Sequence, residues 1–86
     1  MEIADWRNKI DAIDLQMLTL LNERARAAHA IGLLKRNTQA PIYEGDRERA
    51  IFAKLHGANH GPLTNEDITL IYTQIIAIMR DLQTRP

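Results

Sequence analysis

From Ile3 to about Arg36 the chain carries one unbroken helical pattern, and no other stretch limits the possible folds so strongly. Apolar residues recur at alternating steps of three and four: Ile3, Trp6, Ile10, Ile13, Met17 and Leu20, then Ala27, Ile31 and Leu34. That period is the signature of an amphipathic helix. Arg24 falls where the same stepping asks for an apolar residue. No proline occurs before Pro41, and Gly32 is the only glycine inside the run. Roughly 34 residues at about 1.5 Å each make a rod of about 50 Å. A compact chain of this size has a radius of gyration near ~12 Å and is only about 30 Å across, so the rod must overhang. An overhanging apolar stripe needs a cover, and a second copy related by a two-fold axis is the simplest one. The alternative is a helix broken near Asn22 or Gly32 and folded back on itself.

Composition agrees with a small partnered domain. The 86 residues, 45% of them hydrophobic, allow one domain spanning residues 1–86, with a core that is marginal unless another chain adds to it. Eleven basic residues are balanced by eleven acidic ones, and aromatics make up 5%. Neither a phosphate-tracking patch nor a base-stacking platform is evident, so nucleic acid is not expected as a partner. Cysteine is absent, which removes disulfide and thiolate chemistry and fits a reducing compartment. The opening Met1-Glu2-Ile3-Ala4-Asp5 lacks the features of a signal peptide, and no apolar run approaches about 18 residues. A cytoplasmic protein without a membrane segment is expected.

Asp5 suits the positive start of the first helix, and Lys35 and Arg36 suit its negative end. Asn37 to Pro41 reads as a short polar loop. A second helix is expected to begin between Glu44 and Asp46 and run to about His56, with Ile51, Phe52 and Leu55 as its apolar face. The segment from His56 to Pro62, with two glycines and a proline, reads as a turn. Thr64 offers an N-cap hydroxyl and Asp67 follows three residues later, a weaker form of the capping box. The third helix is expected from Asn65 to about Thr84. Ile68, Tyr72, Ile75, Met79 and Leu82 form its stripe, and Ile71 and Ile78 widen it. Gln83, four residues after Met79, reaches the edge of that face. Strand alternation and hairpin signals are lacking, so the expected fold is all-α: three helices, long, short and medium, in an intertwined homodimer.

Arg24 and Lys35 lie eleven residues apart, which leaves them roughly 20° apart in azimuth and about 16 Å apart along the helix. Two long cationic side chains on one face can bracket a small anion, although solvation, or pairing of Arg24 with a carboxylate of another helix, also explains them. Arg7 lies seventeen residues before Arg24, about 25 Å away, and cannot serve the same small site in its own chain. In antiparallel rods it can approach Arg24 of the other chain; otherwise it is a surface arginine. Gly32 costs about 1 kcal/mol relative to alanine inside a helix and marks a close approach by a backbone or a ligand. His56 and His60 have no acidic or cysteine partners at metal-ligand spacing, so no metal is expected. Serine is absent, and no phosphate loop or dinucleotide fingerprint occurs. An enzyme built from this chain would need neither a covalent intermediate nor a cofactor.

Taken together, Arg7 in W-R-N-K-I-D-A-I-D, Arg24 in L-L-N-E-R, Lys35 closing I-G-L-L-K, the run P-I-Y-E-G-D-R-E-R from Pro41, and Gln83 closing I-I-A-I-M-R-D-L-Q resemble the all-helical class of chorismate mutases over nearly the whole chain. The resemblance implies an intertwined homodimer with two active sites, each completed by an arginine of the other chain. It implies the rearrangement of chorismate to prephenate in phenylalanine and tyrosine biosynthesis, a pericyclic step without proton transfer or nucleophile. By the same resemblance, Arg24 and the partner's Arg7 hold carboxylates, and Lys35 contacts a carboxylate and the ether oxygen. Gln83 donates to that oxygen, Glu48 and the Glu44 region take the ring hydroxyl, and Arg47 adds positive field. Met79 stands where several members carry a small hydroxyl residue, and Glu44 where aspartate is frequent. An isochorismate-pyruvate lyase shares the fold and a similar cationic pocket, although Arg47 and Glu48 after P-I-Y-E favour the mutase. The remaining alternative is a non-catalytic helical dimerisation or regulatory module. Allosteric control, if any, is expected to need another protein as partner.

Overall fold

The computed structural model describes residues 1–86 and contains three helices and no strand: α1 (Ile3–Thr38), α2 (Gly45–Ala58) and α3 (Asn65–Leu82). The first helix runs 36 residues without a break, so the folded-back alternative falls. Its first turn is closed by the Glu2 N–H donating to Asp5 Oδ2 at 2.8 Å. It continues two residues past the expected Arg36 and ends at Gln39, whose φ of 57° lies in the left-handed region. The Ala40 N–H then donates to Lys35 O at 3.2 Å.

The second helix likewise outlasts the expected end at His56 by two residues, to Ala58. The turn after it is braced by Asn59, whose side-chain amide donates to Leu63 O and Asn65 Oδ1, both at 2.9 Å. Gly61 has φ 78°, where a side chain would be strained. The capping box at α3 forms as read: the Asp67 N–H donates to Thr64 Oγ1 and the Thr64 N–H to Asp67 Oδ2, each at 3.0 Å. α3 stops at Leu82 rather than Thr84, and the next three residues continue through tight i→i−3 bonds.

Packing joins α3 to the C-terminal part of α1 on one side and to α2 on the other. On α1 the contact face is not the large apolar stripe. Ala28 and Gly32 are the buried residues of α1, flanked by half-buried Arg24, Ala25, His29 and Lys35, whereas Ala27, Ile31 and Leu34 are exposed. Small side chains let the axis of α3 come close, and the bulky stripe turns away. On α3, Ile76 and Met79 are buried and Ile68, Tyr72, Ile75 and Leu82 half-buried. Ile71 and Ile78, expected to widen that stripe, are exposed instead. The shift arises because the small-residue side of α1 draws α3 over Ile76.

Only four residues of the chain are buried, so a single copy has almost no core of its own. The body measures 54 × 27 × 16 Å with a radius of gyration of 15.9 Å, against ~12 Å for a compact chain of this length. Ile3, Trp6, Ile10, Ile13, Met17 and Leu20 stand exposed along the overhang. At the other end the tail returns to α1: Arg36 Nη2 donates to Arg85 O at 2.7 Å, and His29 Nε2 donates to Arg85 O and Pro86 O at 3.1 and 3.2 Å. No helix is long and apolar enough to cross a membrane.

Candidate active site

Lys35 ends the small-residue line of α1 and points its ammonium between the other two helices. Its side chain is 11% exposed, and it meets Gln83 Oε1 at 2.9 Å, Ile42 O at 3.2 Å and Glu44 Oε1 at 3.2 Å. An ammonium has three donors and no acceptor, so these three oxygens satisfy it and fix its position. The same bond orients Gln83: a donor-only lysine requires the amide oxygen, which leaves the Gln83 NH2 group without a partner in the chain.

This contact forms one end of a cavity of about 310 Å³. From α1 come Arg24, Ala27, Ala28, Ile31 and Lys35. The loop and α2 add Ile42, Glu44, Arg47, Glu48 and Ile51, and α3 adds Ile76, Met79, Arg80 and Gln83. The walls are therefore aliphatic in the middle and charged at the rim. Four cations face two carboxylates among these residues, a surplus of two positive charges. Lys35 pairs with Glu44, and Arg80 with Glu48. The other ion pairs of the chain involve Arg49 and Arg85, so Arg24 and Arg47 remain free. Two unpaired guanidiniums in a cavity with aliphatic walls suit a small anionic molecule.

Seven of the eight candidate residues, Arg24, Lys35, Glu44, Arg47, Glu48, Met79 and Gln83, thus line a single cavity. Arg7 does not; it lies on the exposed overhang of α1. Met79 is buried and contributes thioether and methyl surface to the cavity wall. Arg80, which forks onto Glu48, and the wall residue Ile76 line the cavity in addition to the expected candidates. Their signal was present in the spacing: Arg80 lies four residues after Ile76 and three before Gln83, hence on the same helical face.

The sequence matches the chorismate mutase type II family over residues 6–84, which takes in every candidate from Arg7 to Gln83. The chain belongs to that family. Among chorismate mutase relatives, the bifunctional chorismate mutase/prephenate dehydratase of Neisseria gonorrhoeae is 44% identical over 71 residues, covering 83% of this chain and 19% of that protein. The corresponding bifunctional protein of Aquifex aeolicus is 38% identical over 88 residues, covering 98% of this chain and 24% of that protein. The chain therefore spans only about a fifth to a quarter of these relatives' length. Solved structures match far more completely. Chorismate mutase form II from Thermus thermophilus superposes with a TM-score of 0.94 at 32% identity, covering 96% of this chain and 94% of that one. The chorismate mutase of Helicobacter pylori, solved in complex with prephenate, superposes with a TM-score of 0.87 at 33% identity, covering 94% and 88%. The expected all-helical chorismate mutase fold of three helices is thus the one this chain adopts.

Proposed function

We propose that this chain is a chorismate mutase domain over residues 1–86 that rearranges chorismate to prephenate. The observation that carries the reading is the pairing of two free guanidiniums, Arg24 and Arg47, with the Lys35–Gln83 contact in one cavity. Chorismate is a dicarboxylate whose ether C–O bond breaks as a new C–C bond forms, with negative charge growing on the ether oxygen. Catalysis then needs a held conformation and donors already in place where that charge develops. Arg24 takes one carboxylate, and Lys35 exchanges Ile42 O and Glu44 for a carboxylate and the ether oxygen while keeping Gln83. The free Gln83 NH2 donates to the same oxygen. Glu48, with Glu44, accepts from the ring hydroxyl, and Arg47 adds positive field. Met79 offers no hydrogen bond, so the carboxylate above it relies on the cations.

The exposed apolar stripe of α1 supports an intertwined homodimer, in which the partner subunit's Arg7 completes each site. Phenylalanine and tyrosine biosynthesis in the cytoplasm is the corresponding setting, and no cofactor is called for. The test is to incubate the purified chain with chorismate and identify the product, with isochorismate as a parallel substrate. Prephenate from chorismate is the expected outcome, with turnover lost in Lys35→Ala. Pyruvate from isochorismate alone would make the chain a lyase, and chorismate turnover unchanged in Lys35→Ala would overturn the site.

A further inference from the structure

Glu48 is held at both carboxylate oxygens by one residue. Arg80 Nε donates to Oε2 at 3.1 Å, and Arg80 Nη2 lies 2.7 Å from Oε1 and 2.6 Å from Oε2. The two residues come from different helices, Glu48 from the first turn of α2 and Arg80 from the last turn of α3, so the fork ties those helices at the cavity wall. The flat side of the guanidinium is covered as well: its Cζ lies 5.0 Å from the centroid of the Tyr43 ring. A guanidinium with a carboxylate on its edge and an aromatic ring on its face keeps one orientation. Glu44 is held less tightly, 46% exposed and with a single contact to Lys35, whereas the Glu48 side chain is 22% exposed.

We infer that Arg80 is a positioning residue that acts through Glu48. It fixes the Glu48 carboxylate as acceptor for the substrate's ring hydroxyl and does not bind a substrate carboxylate itself. A carboxylate presents about four lone-pair directions, so Glu48 can accept from a hydroxyl while Arg80 holds it. Moving Arg80 onto a substrate carboxylate would leave Glu48 half-buried, charged and unpaired beside a dianion, which is strongly unfavourable. It is also unnecessary, because in the proposed reading Arg24, Lys35 and the partner's Arg7 already serve the two carboxylates. This role rests on the proposed chorismate reading.

A double-mutant cycle on chorismate turnover separates the possibilities. Arg80→Met and Glu48→Gln are each expected to lower kcat/KM by about thirtyfold, chiefly through KM, because the hydroxyl contact exists in ground and transition states alike. The double variant should fall no more than about threefold below Glu48→Gln alone, since the second change removes nothing further. Arg80→Lys, which keeps the charge but loses the fork, should recover less than about a third of the parent value. Thermal unfolding of each variant checks folding, and Glu48→Gln and Arg80→Lys carry the test if Arg80→Met does not fold. Losses that multiply in the double variant would give Arg80 its own contact with substrate and overturn the inference. So would a loss confined to kcat with KM unchanged, the sign of a contact made only in the transition state. A parent chain without chorismate turnover would overturn the functional reading, and this role with it, whereas an active parent with multiplying losses removes the role alone.

Discussion

Gly32 of α1 lies directly against the backbone of Gln83, at the end of α3. A β-carbon on Gly32 would fall inside van der Waals contact with the Cα, carbonyl carbon and carbonyl oxygen of Gln83. One turn further along α1, Lys35 Nζ reaches Gln83 Oε1 at 2.9 Å. The missing side chain at one position therefore sets the distance across the site at another.

Gly32→Ala should accordingly damage both stability and turnover. Alanine gains about 1 kcal/mol of helix propensity, but the opposing atoms are backbone and cannot rotate away, so overpacking of about 1–3 kcal/mol outweighs it. A lower unfolding midpoint and a kcat reduced by about tenfold or more are expected, since a shift near 1 Å in a positioning contact is costly. Gly57→Ala is the control: nothing stands within 4 Å of the added carbon, so α2 should gain about 0.5–1 kcal/mol with turnover unchanged. Equal melting behaviour of the two variants would contradict the close-approach argument.

Arg24→Ala and Lys35→Ala should each lose about 3 kcal/mol or more of transition-state stabilisation, roughly a hundredfold or more in kcat/KM. Lys35→Ala also frees Gln83 and Glu44 from their common anchor, so it should be the more damaging in kcat. Steady-state kinetics with chorismate reads both. A loss below about tenfold in either variant would remove that residue from the site.

The Gln83 carboxamide does not titrate, unlike a carboxyl group placed to donate a hydrogen bond. No histidine lines the cavity either. We expect kcat to stay level between about pH 6 and about pH 8, the range in which an ordinary histidine switches charge. A steep fall across that interval would show that an ionising group, not the amide, donates to the ether oxygen.

Covering the exposed stripe of α1 should require a second copy. Sedimentation at micromolar concentration is expected to show a dimer, and Ile13→Glu, which sets a charge on the stripe, should shift it toward monomer. If each site takes Arg7 from the other chain, mixing inactive Arg7→Ala and Arg24→Ala subunits restores one whole site per mixed dimer. Random reassociation should then return about a quarter of parental activity. A monomeric parent, or no recovery on mixing, would break the shared-site proposal.

The three helices were legible from the chain alone, because helical period, turn residues and the Thr64 to Asp67 cap are local properties written within a few residues of one another. The sequence also placed Arg24 and Lys35 on one face, since that follows from helical geometry alone, and the motifs around them pointed to the family. The terminal turns were the local exception: α1 and α2 each run two residues beyond their expected ends, where helix signals fade into loop residues. Which sides of the helices meet is instead set by packing between distant segments. By hydrophobicity the stripe through Ile31 and Leu34 should face α3, yet the line through Ala28 and Gly32 does, because close backbone approach rewards small side chains over greasy ones. That choice exposes Ile71 and Ile78, buries Ile76, and brings Arg80 of α3 onto Glu48 of α2. An ion pair between residues so distant in the chain has no local period to announce it. The role of Arg80 follows from the convergence of α2 and α3 on the cavity.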